Sequence, residues 1–169
     1  MGLSDFFLLN SYLFLPIAMP IKARYVHTNL MARDWRRLVT FYCDVLGCVP
    51  KLPERDISGD WIDRVANLKN ARLRGMHLLL PGFDQGGPTL EIFTYDEMIS
   101  GPKPVANEPG YGHLAFAVDD VPAALAAVVA AGGSSVGEIT TSRVAGVGQL
   151  NMVYARDPEG NIIELQHWS

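Results

Sequence analysis

Four polar side chains stand out because each sits in a short, otherwise apolar run: His27, Glu91, His113 and Glu164. Glu91 lies between Leu90 and Ile92, and Glu164 between Ile163 and Leu165. In a strand, alternation turns both aliphatic neighbours to one face and the glutamate to the other. If that second face is the interior of a curled sheet, an unpartnered carboxylate there costs several kcal/mol, so it must meet a cation, a hydrogen-bond donor or water. Two imidazoles and two carboxylates in matching positions make one divalent metal ion the economical explanation.

The elements that would position these groups come in two similar halves, 21–98 and 110–169, joined by Pro/Gly punctuation at Ser100-Gly101-Pro102-Lys103-Pro104 and Pro109-Gly110. Each half opens with a strand-like run, Arg24 to Leu30 around His27 and Gly112 to Val118 around His113. Asp34 and Asp120 follow as candidate helix N-caps. Trp35, Leu38, Val39, Phe41, Tyr42 and Leu46 then recur at helical spacing, as do Val121, Leu125, Val128 and Val129, with Gly47 and Gly132-Gly133 placed to end the helices. Each half closes on strands: Arg72 to Leu80 and Thr89 to Tyr95 in the first, Leu150 to Ala155 and Asn161 to Gln166 in the second. A turn at Asp157-Pro158-Glu159-Gly160-Asn161 joins the last two. The interval from His to Glu is longer in the first half. Its excess falls near Leu52 to Asn70, which reads as a polar lid or rim segment followed by a short helix through Trp61, Ile62 and Val65. His77 lies outside this repeat pattern and His167 follows Glu164 closely, so both read as structural or solvent-facing.

The bulk composition fits one folded domain: of the 169 residues, 49% are hydrophobic and 19% charged. A net charge of −4 without blocks of like charge gives no reason to expect nucleic acid as a partner. The two cysteines, Cys43 and Cys48, match neither a CxxC motif nor a disulfide framework, which favours reduced thiols and a cytoplasmic location. Residues 1–20 read as an N-terminal extension outside the core. Their apolar run is too short to span a bilayer and has no basic residue before it, so neither a membrane partner nor an export signal is expected. Gly82, Gly86 and Gly87, like Gly146 and Gly148, do not sit between a strand and a helix as a phosphate cradle requires, so no nucleotide cofactor is expected.

From Ile21 to His167 the sequence resembles the vicinal oxygen chelate superfamily of glyoxalase I, methylmalonyl-CoA epimerase, extradiol dioxygenases, fosfomycin-resistance transferases and bleomycin-binding proteins. The resemblance rests on Tyr25-Val26-His27, on Phe41 to Gly47, on Leu90-Glu91-Ile92, on Gly112 to Asp120 and on Asp157 to Leu165. It implies an α+β fold of two βαβββ modules forming a curled mixed sheet, with metal ligands on the first and last strands of each module. At matching positions, extradiol dioxygenases use the equivalents of His27, His113 and Glu164, and glyoxalase I adds a ligand at the position of Glu91.

A set of two histidines and two carboxylates suits six-coordinate Ni, Co, Mn or Zn with two exchangeable waters. The resemblance therefore implies a metal-dependent lyase or isomerase of the glyoxalase I type. Glu164 or Glu91 would take the proton beside a chelated carbonyl, giving an enediolate. The alternatives are an Fe(II) extradiol dioxygenase and a non-catalytic drug-binding protein. The expected partners are a small-molecule substrate and a second copy of the chain in a homodimer.

Overall fold

A computed structural model describes residues 22–169. The N-terminal extension at 1–20 lies outside the described residues. The first module runs β1 (His27–Met31), α1 (Trp35–Leu46), β2 (Val49–Ser58), α2 (Asp60–Ala66), β3 (Arg72–Leu79) and β4 (Thr89–Tyr95). The second runs β5 (Leu114–Ala117), α3 (Val121–Ala130), β6 (Ser134–Ser135), β7 (Thr140–Val144), β8 (Gly148–Arg156) and β9 (Ile162–Trp168).

Each module builds its own mixed sheet. In the first the order is β1-β4-β3-β2, and in the second β5-β9-β8-β6, with β7 also paired to β8. The first strand of each module pairs parallel with the last, and the other pairings are antiparallel. In each sheet the first and last strands of the module thus lie side by side at one edge. The βαβββ pattern carries one elaboration per module. α2 is inserted after β2, and the second strand of the later module is split into β6 and β7.

Both helices start where the sequence places them. The Asp34 carboxylate accepts from the Arg37 amide at 3.1 Å and Asp120 from the Ala123 amide at 2.9 Å. Gly47 closes α1 at φ 70°, a left-handed conformation that glycine adopts without a Cβ penalty. Leu38, Phe41, Tyr42 and Leu46 of α1 and Val121 and Val128 of α3 pack on the inward aliphatics of both sheets, among them Leu30, Leu78, Leu90, Ile92, Phe116, Val153, Ile163 and Leu165, in one continuous core. Burial of these helix-facing side chains removes apolar area from water at about 25 cal/mol per Å².

The modules are tied together by a buried hydrogen bond from the Tyr42 hydroxyl of α1 to Asp157 Oδ2, 3.0 Å away in the β8–β9 turn. Asp157 Oδ1 also accepts from the amides of Glu159, Gly160 and Asn161, and Oδ2 accepts from the Asn161 side chain. Burial pushes the Asp157 carboxyl up despite these donors, and burial together with the Asp157 charge raises the Tyr42 hydroxyl.

The second strand of each module is where the sequence reading falls short. The polar stretch Pro53 to Asp60, read as a lid or rim, belongs largely to β2 and pairs with β3. As an edge strand it is exposed on nearly its whole length, so no apolar alternation marks it. The short helix expected through Trp61 and Ile62 is present as α2. Cys43 and Cys48 are free thiols; burial raises both, Cys48 to about 12.

Candidate functional site

Glu91 and Glu164 occupy corresponding places. Each stands mid-way along the last strand of its module, with aliphatic neighbours (Leu90 and Ile92, Ile163 and Leu165) fully buried against the helices and the carboxylate on the opposite face. That opposite face of each sheet carries the polar chemistry.

In the first module the register sets Asn29, Glu91, His77 and Lys51 side by side across four strands. Glu91 is surrounded by donors. Its Oε1 lies 3.0 Å from His77 Nε2 and 3.4 Å from His27 Nδ1, and its Oε2 accepts from Asn29 Nδ2 at 3.0 Å. On the other side of the His77 ring, Nδ1 is 3.4 Å from the Thr89 hydroxyl. A neutral His77 ring that donates through Nε2 to Glu91 leaves Nδ1 to accept a hydrogen bond from the Thr89 hydroxyl. Burial holds the His77 imidazole below its ordinary value; the Glu91 carboxylate opposes this, while the charges of Arg55, His27 and Lys51 add to it. The Phe93 ring meets His77 edge-on at 5.8 Å.

In the second module Glu164 faces Ala115 on one side and Tyr154 on the other. His113, one residue before β5, places Nε2 3.1 Å from Glu164 Oε2, and its ring lies 4.9 Å from that of Tyr154. No second side-chain donor reaches Glu164 among the described hydrogen bonds.

The four residues singled out by sequence therefore form two His–Glu pairs, one per module. The register adds His77 to this neighbourhood: it sits opposite Glu91 as Tyr154 sits opposite Glu164. The repeat hid it because the equivalent residue is of a different type, and only the strand register exposes the match. His167 behaves as expected, with Nδ1 2.9 Å from the Val118 carbonyl oxygen. Trp35 is buried in the core, whereas Trp61 and Trp168 remain largely exposed.

The donor types suit a divalent ion, yet among the described residues no three His, Cys, Asp or Glu side chains converge closely enough to hold one. Asn29, which holds Glu91, and His113 line one cavity of about 230 Å³ with Met31, Tyr111, Gly112 and Leu114. A second, mostly apolar cavity of about 410 Å³ lies between Thr28 and Leu90 of one module and Leu114 to Ala117 of the other.

Residues 24–165 match the family model of the Glyoxalase/Bleomycin resistance protein/Dioxygenase superfamily. The chain belongs to that superfamily. Among solved structures it is similar to a glyoxalase family protein from Bacillus cereus, with 18% identity, a TM-score of 0.69, and coverage of 91% of this chain and 98% of that one. A superfamily domain from a Frankia species shows 18% identity and a TM-score of 0.54 over 88% of this chain and 100% of its own. A glyoxalase I variant from Zea mays shows 23% identity and a TM-score of 0.58, covering 85% of this chain and 44% of the maize one. At these identities the likeness is one of fold. Among curated proteins none matches significantly.

Proposed function

We propose that this chain is a divalent-metal-dependent lyase or isomerase that moves a proton at the carbon beside a carbonyl of a small substrate. One observation carries the reading: the same His–Glu pair occurs twice, at 3.4 and 3.1 Å, at equivalent register positions of two modules. His27, Glu91, His113 and Glu164 would hold the ion. The four donors match the preference of Ni, Co, Zn or Mn for mixed nitrogen and oxygen ligands. The ion would supply Lewis-acid polarisation of the carbonyl. Adjacent ligands of one ion at about 2.1 Å stand about 3 Å apart, so the spacing of each His–Glu pair suits joint ligation once the imidazole nitrogen facing the carboxylate carries no proton.

The two carboxylates divide the remaining work. Glu91, held by His77, His27 and Asn29, has both oxygens engaged and is fixed in orientation. Glu164 has a single imidazole contact and retains an oxygen able to accept a proton, which makes it the base. It would take the proton beside the carbonyl, leaving an enediolate, and return it to the neighbouring carbon or the same one.

Solvent-deuterium incorporation into hemithioacetal and methylmalonyl-CoA substrates tests this. Metal-loaded enzyme should wash deuterium into product, and Glu164→Gln should stop it; incorporation unchanged in that variant would refute the role. That no three His, Cys, Asp or Glu side chains converge among the described residues supports a second reading, a metal-free small-molecule binding protein. Tight stoichiometric ligand binding without turnover would mark that class.

A further inference from the structure

We propose that Lys51 and Arg55 form an anion-recognition pair beside the first half-site, so that the substrate is a carbonyl compound bearing a carboxylate or phosphate group. The inference deepens the preceding reading by naming a substrate class for the same site.

It starts from an irregularity in β2. Lys51 pairs with His77 and Arg55 with Gly75, so four steps along β2 answer two along β3, and the register shifts between them. The two extra residues are accommodated as a bulge. Cross-strand partners share a sheet face, as do residues two apart on one strand. The bulge thus puts Lys51 and Arg55 both on the face of His77 and Glu91, opposite positions about 7 Å apart on β3. Without it, residues four apart would stand about twice as far from each other.

Neighbouring charges behave differently. On the other face, Glu54 pairs with Arg36 at 2.7 Å and Asp56 with Arg72 at 2.6 Å, and Arg74 pairs with Asp96. Among the described residues neither Lys51 nor Arg55 has a carboxylate within ion-pair distance. Arg55 donates from Nη1 to the Pro53 carbonyl at 3.1 Å, which leaves most of its guanidinium donors uncommitted. In a chain of net charge −4, two cations collected on the face that holds the half-site are a local reversal of sign. Such a reversal favours an anionic ligand.

The row also sets a length. Lys51 and Glu91 stand two strand spacings apart, about 10 Å between backbones. A lysine stem reaching back over His77 shortens the gap. A small molecule with its reacting carbon near Glu91 and its oxyanion a few bonds away spans the remainder. Gly75, opposite Arg55, lets β4 approach β3 closely enough for the Phe93 ring to floor this stretch. A Cβ there would lie 2.1 Å from the Ile92 carbonyl oxygen and 2.7 Å from the Phe93 ring.

The test uses isotope-labelled, metal-stripped full-length protein titrated separately with inorganic phosphate, acetate and, at matched ionic strength, chloride. Saturable shifts of the Lys51, Gly75 and His77 amides with phosphate or acetate are expected, and the tighter of the two identifies the oxyanion. Lys51→Met or Arg55→Met should each weaken the affinity about tenfold, the loss of one charged hydrogen bond. Linear shifts no larger than those with chloride would overturn the proposal, as would unchanged affinity in a folded double variant. If the double variant fails to fold, saturation in the wild-type protein decides alone. Because no metal is present, these outcomes stand apart from success or failure of the metal-dependent reading.

Discussion

Glu91 and Glu164 are equivalent by register but differ in company, and the difference predicts distinct phenotypes. Glu164→Gln should lower kcat by about 10² to 10⁴-fold, the usual contribution of a positioned base, even at metal concentrations that saturate the variant. Glu91→Gln should show first as weaker metal binding in calorimetry. His77 acts through Glu91: His77→Ala should weaken divalent-ion affinity about 10- to 100-fold, as loss of a residue orienting a ligand does. His77→Gln, which can still donate to Glu91 Oε1, should recover most of it. If Ala and Gln behave alike, the hydrogen bond is not what matters.

The His77 imidazole also carries a pH signature. Its folded value is depressed, chiefly by burial, below the ordinary 6.5. The contribution of the neutral ring is therefore complete above that value and is lost as pH falls through the folded value, because the unfolded chain takes the proton first. Urea unfolding of the wild type should thus lose more stability on acidification below pH about 6.5 than His77→Gln does.

At the scale of elements, α1 docks on the β8–β9 turn through the buried Tyr42–Asp157 contact and, at its exposed N-cap, through the Asp34 amide, which donates to Glu159 Oε1 at 2.8 Å. Tyr42→Phe removes a donor from the Asp157 carboxylate and should cost about 1–3 kcal/mol in urea denaturation, with no change in module architecture. A cost near zero would mean that the backbone amides at Asp157 suffice.

Much of this layer was legible in sequence. Asp34, Gly47 and Asp120 announced the helix ends, and alternation around Glu91 and Glu164 announced which face their carboxylates take. What escaped was β2, β6 and β7. These lie at sheet edges, exposed on both faces, where neither face needs apolar residues and periodicity vanishes. The role of His77 escaped for a related reason, since a cross-strand neighbour is defined by register and not by spacing along the chain. The bulge that gathers Lys51 and Arg55 likewise exists only in the pairing of β2 with β3.

For the whole molecule, the superfamily fold sets two similar modules around one core with a cavity lined by residues of both, and no described helix is long and apolar enough to cross a membrane. One fold of this kind hosts many chemistries, so the assignment depends on the four donors and not on the architecture. The decisive measurement is a titration of metal-stripped protein with Co(II), followed by its visible absorption and by calorimetry. One ion per chain is expected, with its spectrum altered by His27→Ala in one module and equally by His113→Ala in the other. Failure to take up any ion, or a spectrum that ignores one of the two histidines, would contradict a centre built from both halves.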